Sequence, residues 1–201
     1  MLNQVKSKQR ISNYGEVYTA DREVQSMLDL LPQSTFDLKT TFLEPACGNG
    51  NFLEAILKRK LESFIKNKQL IINQDDVERN ILLAITSIYG VDIQKDNVLE
   101  SRKRLENCID SWYFQNYSKK ISSSCLKGIK FILEKNIICG NTLTKLNEKN
   151  KPLRFSEWNI TKNGNFFRKE YKFEDVLNDA NNTNAKTYRY YWLKENEVAY
   201  S

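Results

Sequence analysis

The chain has 201 residues, 40% of them hydrophobic and 11% aromatic, and a net charge of +6. These values predict one globular domain with a real core, and they permit a polyanionic partner without requiring one. The sequence contains no histidine, which excludes Ser-His and Cys-His nucleophile pairs and imidazole bases. The four cysteines form no C-x-x-C pair, so we expect reduced, mostly buried thiols and no metal site.

No segment of the sequence is long and apolar enough to predict a membrane helix, and residues 1–20 lack the apolar core of a signal peptide. We therefore expect a cytoplasmic protein without a membrane partner.

The first predicted element lies in residues 15–32, which read G-E-V-Y-T-A-D-R-E-V-Q-S-M-L-D-L-L-P. Asp21 is expected to cap an amphipathic helix, and Pro32 follows the end of that helix. The inner side of the helix is predicted to carry Val24, Met27, Leu28 and Leu31. On this pattern alone, the segment is a helix that docks on a sheet.

A strand, a glycine loop and a helix are predicted next. Residues 40–44 are short and β-prone, Gly48-Asn49-Gly50 is a tight turn, and residues 51–66 carry apolar side chains at helical spacing. Glycine lets a ligand approach the backbone, and the helix start offers free N–H groups. Glu44 is expected to present its carboxylate at the rim. An ordinary turn remains the alternative, because a lone glycine-rich loop is a weak indication.

A second strand is predicted over residues 89–93, Y-G-V-D-I. In dinucleotide-binding folds an acidic residue at the end of the second strand binds ribose hydroxyls, about 20 residues after the glycine loop. Asp92 follows Gly50 by 42 residues, which fits if residues 66–88 contain an inserted polar stretch and a helix. The alternative role for Asp92 is to cap the helix that follows it.

The remaining pattern predicts further helices, a third strand and a hairpin. The helices are expected at residues 80–88, 95–108, 122–135 and 174–179, the third strand at 136–143, and a β-hairpin around Asn163-Gly164 with strands 152–161 and 166–173. Residues 112–120 are aromatic and basic, which indicates a loop over the sheet edge or, alternatively, a contact to DNA. Residues 187–193 are expected to pack at the sheet edge or to stack on single-stranded nucleic acid.

Four of these segments resemble motifs of adenine-specific DNA methyltransferases from restriction-modification systems. Residues 44–53, E-P-A-C-G-N-G-N-F-L, closely resemble the S-adenosylmethionine-binding motif of that family, and the full run is far more specific than G-x-G. G-E-V-Y-T-A resembles the motif before it, Y-G-V-D-I the motif at the second strand, and N-I-I-C-G-N-T-L the third cofactor motif. The resemblance covers about residues 15–143 and leaves 144–201 unmatched.

The resemblance implies an α/β, Rossmann-like methyltransferase fold, with a mostly parallel sheet flanked by helices and S-adenosyl-L-methionine at the carboxyl ends of the strands. It also implies roles for individual residues. They are Thr19 and Glu44 at the methionine end, Ala46, Gly48 and Gly50 along the loop backbone, Asp92 at the ribose, and Ile93 and Asn141 at the adenine. Asn141 replaces the family's usual aspartate, and its amide oxygen can still accept a hydrogen bond from the adenine amino group. A turn that needs Gly and Asn is the alternative role for this position.

The family's catalytic motif, N-P-P-Y, is absent from the sequence. Pro32, Pro45 and Pro152 are the only prolines, and no two are adjacent. In the family this motif accepts the two hydrogens of the adenine amine and stacks on the flipped base. Residues 156–158, Ser-Glu-Trp, lie in roughly the corresponding region and are a weak candidate for that role, so the catalytic residue stays unknown.

The resemblance therefore implies an adenine-specific DNA methyltransferase-like enzyme that binds the methyl donor and has DNA as its partner. Two alternatives remain: a cofactor-binding subunit completed by a second methyltransferase or restriction subunit, and a catalytically inactive regulatory or binding protein. Residues 1–150 are expected to form the cofactor-binding domain with its N-terminal helical motif. Residues 151–201 are expected to form a hairpin and tail packed on the same domain.

Overall fold

The computed structural model of the chain describes residues 7–14, 16–66, 73–160, 165–177 and 186–191. Its helices are α1 (Lys8–Tyr14), α2 (Asp21–Leu28), α3 (Asn51–Lys66), α4 (Gln74–Thr86), α5 (Lys95–Tyr117), α6 (Ser123–Asn136) and α7 (Phe173–Leu177), with a short 3-10 helix at Gln33–Phe36. Its strands are β1 (Phe42–Glu44), β2 (Ile88–Asp92), β3 (Ile137–Cys139), β4 (Arg154–Ile160), β5 (Asn165–Lys172) and β6 (Lys186–Tyr191).

The first three strands form a parallel sheet in the order β1-β2-β3. Glu44 is paired with Gly90, and Asp92 with Cys139. Because all three strands run in one direction, Glu44 and Asp92 lie at the same carboxyl edge of the sheet. The predicted α/β class, with a parallel sheet flanked by helices, is confirmed, and the arrangement is compatible with a Rossmann-like fold.

One face of the parallel sheet is covered by the long helices. Gly90 faces α3 so closely that a Cβ atom there would lie 2.8 Å from Leu53 Cδ1 and 3.0 Å from Cys47 Sγ. Apolar side chains from four helices fill this side of the core and are fully buried: Leu53, Leu57, Leu61, Ile81, Ile85, Leu105, Ile109, Ile129 and Ile132. Their spacing of three or four residues along each helix explains why these segments are helical.

The opposite face of the sheet packs on the segment that contains β4. Val91 forms a cluster with Leu153, Phe155 and Phe173, and the Tyr89 hydroxyl donates a hydrogen bond to the carbonyl oxygen of Ser156. The predicted hairpin is confirmed as the antiparallel pair β4 and β5, and β6 adds a third strand beside β5. The predicted turn at Asn163-Gly164 lies outside the described residues.

Trp158 connects the sheet of β4, β5 and β6 to helix α6 by a hydrogen bond. Its indole Nε1 donates to Asn136 Oδ1 at 2.8 Å, while Asn136 Nδ2 donates to the carbonyl oxygens of Ile85 and Ile88, each at 3.1 Å. The Oγ of Ser156 accepts from Arg168 Nη1 at 3.0 Å. Both side chains thus have structural partners on β5 and α6, and the structure does not bring them to the carboxyl edge of the parallel sheet.

Several predicted elements differ in the structure. Met27 and Leu31, expected on the inner side of the first helix, are 55% and 39% exposed, and α2 ends at Leu28, before Leu31. Strand β3 covers Ile137–Cys139 only, within the predicted 136–143. The prediction of a loop at residues 112–120 is wrong up to Tyr117, because α5 continues and buries Tyr113 and part of Tyr117 on its inner side. Helix α4 begins at Gln74, six residues before the predicted start, because the side chain of Asn73 accepts a hydrogen bond from the backbone N–H of Asp76. Asp21 does not cap α2 with its side chain; it is the first helical residue after Ala20.

A buried lysine holds the turn that leads into β1. Lys60 of α3 is fully buried, and its Nζ donates to the carbonyl oxygens of Asp37 at 2.6 Å and Thr40 at 2.7 Å. Burial lowers the pKa of Lys60 to about 8. The contact fixes the start of β1 relative to the helix that follows the glycine loop.

Candidate functional site

The glycine loop after β1 is held at both ends by backbone hydrogen bonds. The N–H of Cys47 donates to the carbonyl oxygen of Val91 at 2.8 Å, and the N–H of Gly50 donates to that of Cys47 at 2.9 Å. Gly48 and Gly50 have φ angles of +51° and +90°, in the region that favours glycine. A Cβ atom at Gly50 would lie 2.6 Å from Ser101 Oγ, so this glycine lets α5 pack against the loop.

Asp92 connects the second strand to this loop. Its Oδ2 accepts a hydrogen bond of 2.9 Å from the N–H of Gly48, and its Oδ1 accepts from the N–H of Gln94 at 2.8 Å and from Asn97 Nδ2 at 3.3 Å. A carboxylate offers about four acceptor positions, so three of them are used within the chain and one remains for a ligand. Asp92 does not cap α5, because the N-cap of that helix is Gln94, which has no side-chain cap hydrogen bond; Asp92 instead holds the turn that leads into the helix.

Glu44 lies opposite Asp92 at the same edge of the sheet. Its Oε1 accepts a hydrogen bond of 3.2 Å from the N–H of Ala46, which turns the carboxylate toward the loop. Among the described residues, neither Glu44 nor Asp92 forms an ion pair with a lysine or arginine.

The segment before α2 supplies another wall of the site. Asn51 Nδ2 donates to the carbonyl oxygen of Thr19 at 3.0 Å, which attaches this segment to the start of α3. The hydroxyl of Tyr18 lies 3.0 Å from Asn97 Oδ1 and 3.2 Å from Glu16 Oε1. The segment is thus bound to both helices that begin at the carboxyl edge.

Arg10 of α1 lies outside the cavity lining and links this segment to α5 through Glu16 and Asp96. Its guanidinium donates to both carboxylate oxygens of Glu16 and to both oxygens of Asp96, with Nη1 at 2.6 Å from Asp96 Oδ2. Burial by itself raises the pKa of Glu16, but the hydrogen bonds from Arg10 and Asn97 outweigh it and lower that pKa below its ordinary value. Glu16 is therefore charged at neutral pH.

These elements enclose a cavity of about 280 Å³. It is lined by Glu16, Val17, Tyr18, Thr19, Glu44, Ala46, Cys47, Gly48, Asn49, Asn51, Phe52, Asp92, Ile93, Gln94 and Asn97. The volume is close to the lower end of the roughly 300–1,000 Å³ typical of small-molecule sites.

Six of the eight predicted cofactor-binding residues line this cavity. They are Thr19, Glu44, Ala46, Gly48, Asp92 and Ile93. Gly50 does not, because it faces Ser101. Asn141 also lies outside the lining, and its Oδ1 accepts from the N–H groups of Leu143 at 2.8 Å and Thr144 at 3.2 Å. Asn141 thus stabilises a turn, which was its alternative role, and it does not aim a free acceptor into the cavity.

The lining includes polar residues that we did not single out from the sequence. Glu16 stands in the same G-E-V-Y-T motif as Thr19, so the motif held a signal for it. Asn97 and Asn51 stand in the first turns of α5 and α3, and only the packing of those helices shows that they meet the segment before α2. Phe52, one of the apolar residues at helical spacing in 51–66, packs partly on the core and also borders the cavity.

The charge of the cavity is negative in a protein of positive net charge. Its lining contains three carboxylates, those of Glu16, Glu44 and Asp92, and neither lysine nor arginine. Arg10 pairs with Glu16 from outside the lining, so the uncompensated charges are those of Glu44 and Asp92. The thiol of Cys47 stays neutral, because burial raises its pKa and the charges of Asp92 and Glu44 raise it further. The site therefore suits a ligand with positive charge and offers no thiolate nucleophile.

Comparison with known proteins gives no assignment: no family model, no curated protein and no solved structure matches the chain. Among the described residues, no helix is long and apolar enough to cross a membrane. The same part of the chain contains no group of three or more Cys, Asp or Glu side chains that could hold a metal ion.

Proposed function

We propose that the chain binds S-adenosyl-L-methionine and belongs to the adenine-specific DNA methyltransferase type. The proposal is supported by the motif resemblance and by the cavity, which six of the predicted residues line. The bound group would supply a methyl carried by a sulfonium, which is electrophilic enough to be attacked by an adenine amine. The residues of this chain would bind and orient that group.

The acidic lining of the cavity is the observation that carries the proposal. A glycine loop followed by a helix start is also the usual binding site for phosphates. Phosphate-bearing cofactors such as NAD or ATP would, however, place negative groups beside Glu44 and Asp92, which have no lysine or arginine partner among the described residues. S-adenosylmethionine carries a sulfonium and an ammonium against a single carboxylate, and its net positive charge matches the site.

Each carboxylate has a role in this proposal. Glu44 holds the cationic methionine end. Glu16 shapes the wall beside it, because Arg10, Tyr18 and Asn97 already use its four acceptor positions. Asp92 has one acceptor position left after its three internal hydrogen bonds, which suits one ribose hydroxyl. Ile93 is 51% exposed and offers an apolar surface to the adenine.

The topology favours a second candidate, a cofactor-binding subunit of a split methyltransferase. Strand β1 is one of the two edge strands of the three-stranded sheet, and no described residue pairs with its outer side. Leu43 of β1 is 42% exposed, whereas parallel sheets are normally covered on both faces. In doubly wound folds the ligand crevice lies where further strands continue beyond the first strand. A partner chain that added strands there would complete the sheet next to Glu44 and could supply the missing catalytic motif.

Isothermal titration with S-adenosylmethionine tests the proposal. We expect micromolar binding, weakened about tenfold or more by Asp92→Ala, which corresponds to 1.4 kcal/mol. Glu44→Gln is the gentler variant, because it removes charge while keeping the shape of the side chain, and it should weaken binding as well. Asp110→Ala, an exposed position further along α5, is the matched control and should bind like the parent chain.

Two further ligands test the charge argument. S-adenosylhomocysteine lacks the sulfonium charge and should bind more weakly than S-adenosylmethionine, and NAD should not bind. The absence of heat with S-adenosylmethionine, from a sample that unfolds cooperatively, would overturn the proposal and favour a regulatory protein without a cofactor. Binding without methyl transfer to DNA would favour the split methyltransferase.

A further inference from the structure

The connection from β3 to β4 is an ordered element beside the candidate cavity. Backbone hydrogen bonds fold it on itself, from the N–H of Asn141 to Leu146 at 2.9 Å and from the N–H of Leu153 to Lys145 at 2.8 Å. The hydroxyl of Thr142 donates to the carbonyl oxygen of Pro45 at 3.2 Å. Pro45 stands between two residues that line the cavity, so this contact fixes the connection at the mouth of the site.

Leu143 projects from this connection into solvent. It is 91% exposed, although its backbone N–H is held by Asn141 Oδ1 at 2.8 Å. An isolated exposed leucine needs no explanation on a protein surface. Leu143, however, stands one residue from the contact between Thr142 and Pro45, and Ile93 of the lining is also 51% exposed. The cavity therefore has exposed aliphatic side chains around it, Leu143 on the connection and Ile93 and Val17 in the lining.

The same connection is positively charged. Residues 141–154 contain Lys145, Lys149, Lys151 and Arg154 against one acidic residue, Glu148. Lys145 pairs with Glu174 and Arg154 with Glu170, each at 3.4 Å, whereas Lys149 and Lys151 are exposed and form no ion pair with a described residue. Leu143 and Lys149 are each three residues from Leu146, so their Cα atoms lie within about 11 Å of that residue.

We propose that residues 141–154 form a nucleic-acid-binding surface, in which Lys149 and Lys151 contact backbone phosphates and Leu143 packs on a base or sugar at the mouth of the cavity. The inference rests on the proposed function, because a nucleic acid is the molecule on which a methyl donor in this cavity would act. Two exposed lysines without an ion pair to a described residue and an exposed aliphatic side chain, all on one short connection, favour a polyanion with apolar faces over a protein partner.

A rival surface exists at the end of α5. Phe114 is 61% exposed there, and Lys119 and Lys120 are exposed. This end of α5 is about 33 Å from its start at the cavity, at 1.5 Å per residue over 22 steps, so it cannot act at the same site. It nevertheless offers a matched control, with the same number of lysines and an exposed apolar side chain.

Fluorescence anisotropy with labelled DNA tests the inference. The probes are a fluorescein-labelled duplex of about 20 base pairs and the corresponding single strand, titrated between 50 and 200 mM salt. Lys149→Gln/Lys151→Gln should weaken binding about fivefold or more and reduce the slope of log K against log salt by about 2 for the duplex. Lys119→Gln/Lys120→Gln removes the same charge and should bind within about twofold of the parent chain.

The contact proposed for Leu143 is tested by a separate variant and a matched control. Leu143→Ser should weaken binding about fivefold without changing the salt slope. Leu30→Ser alters another leucine, 84% exposed after α2, and should have no effect on DNA binding. Equal affinities for Leu143→Ser and Leu30→Ser would overturn the role given to Leu143.

The remaining outcomes decide the inference separately from the proposed function. Loss of DNA binding in Lys119→Gln/Lys120→Gln but not in Lys149→Gln/Lys151→Gln would overturn the inference. A parent chain that binds neither the duplex nor the single strand would overturn it as well. Binding of S-adenosylmethionine is measured independently by titration. If the chain binds S-adenosylmethionine but Lys149→Gln/Lys151→Gln does not change its DNA affinity, only this inference is overturned. If that variant weakens DNA binding but the chain does not bind S-adenosylmethionine, only the proposed function is overturned.

Discussion

The backbone N–H of Gly48 donates a 2.9 Å hydrogen bond to the carboxylate of Asp92, 44 residues further along the chain. The bond joins the loop after β1 to the end of β2, so the loop is held at a fixed position relative to the carboxylate of Asp92. A ligand that contacts Asp92 therefore meets a carboxylate whose position is fixed before binding. Preorganisation of this kind reduces the entropy lost when a ligand binds.

Replacement of Asp92 should lower stability as well as affinity. Asp92→Asn puts an amide where the carboxylate accepts from the N–H groups of Gly48 and Gln94, so the new donor faces at least one existing donor. We expect the free energy of unfolding to fall by about 1–2 kcal/mol. Urea denaturation measures it, with Asp110→Asn as the exposed control. Equal unfolding free energies for the two variants would contradict the role of Asp92 in joining the strands.

The two loop glycines should differ in their tolerance of alanine. Gly50→Ala combines a φ of +90° with a Cβ that would lie 2.6 Å from Ser101 Oγ and 3.0 Å from its Cα. Gly48 has a φ of +51°, and a Cβ there would be in ordinary contact with the Tyr18 ring at 3.4 Å. We expect Gly50→Ala to cost about 2–4 kcal/mol and Gly48→Ala about 1 kcal/mol.

A second substitution separates the two causes at Gly50. Ser101→Gly in the Gly50→Ala background removes the closest atom but not the backbone strain, so it should restore part of the lost unfolding free energy. Chemical denaturation of the single and double variants gives the comparison. If Ser101→Gly gave no recovery at all, the close packing of α5 on the loop would not be the source of the cost.

Removal of Arg10 should loosen one wall of the cavity without unfolding the protein. Arg10→Gln breaks the ion pairs with Glu16 and Asp96, which are partly exposed, so the free energy of unfolding should fall by no more than about 1 kcal/mol. Hydrogen exchange at residues 16–19 should become faster, and the affinity for S-adenosylmethionine should fall several-fold. Arg22→Gln is the control, since the Arg22 side chain is 89% exposed and, among the described residues, pairs only with its neighbour Glu23. Unchanged exchange at residues 16–19 would show that Arg10 does not hold the wall.

Lys60 should give the protein a distinctive stability profile above neutral pH. Its pKa is lowered by burial from 10.5 to about 8, so between these values the unfolded chain binds a proton that the folded chain has released. The contribution of Lys60 to the free energy of unfolding therefore rises by up to about 3 kcal/mol as the pH goes from about 8 to about 10.5. Below pH 8 this contribution does not change with pH, because Lys60 is protonated in both states.

Lys60→Met isolates that contribution. The variant should lose the rise with pH, and at pH 7 it should lack the donor to the carbonyl oxygens of Asp37 and Thr40. The difference between the unfolding free energies of parent and variant, measured from pH 7 to 10, removes the titration of other groups. Lys66→Met, exposed on the same helix, should keep the parent's profile. A pH-independent difference between parent and Lys60→Met would contradict the lowered pKa.

The helix and strand next to the site could be predicted from the sequence, because each shows its own pattern of apolar residues along the chain. Helix α3 has the bounds that its apolar spacing predicts, Asn51–Lys66, and β2 covers Ile88–Asp92, one residue from the predicted 89–93 at each end. The end of α5 was missed, because an aromatic and basic composition was taken to indicate a loop. Ile109, Tyr113 and Tyr117 are spaced four residues apart, which is a helical pattern that places them on one inner side.

The contacts between distant segments could not be predicted. Nothing in the local pattern brings Arg10 to Asp96, Asn97 to Tyr18, or Trp158 to Asn136. Asn141 shows a further limit, because a motif position implies a role but does not show which groups its side chain contacts. Its oxygen is used within its own turn.

The outer side of β1, with which no residue of the described ranges pairs, also bears on how the isolated chain behaves at high concentration. An exposed strand edge can pair with the edge of another molecule and so begin aggregation. Here β1 has only three residues, and Pro45, which lacks an N–H donor, follows it directly. A ladder on this edge would end after few hydrogen bonds, so we infer that the short strand and its proline protect the free chain from self-association.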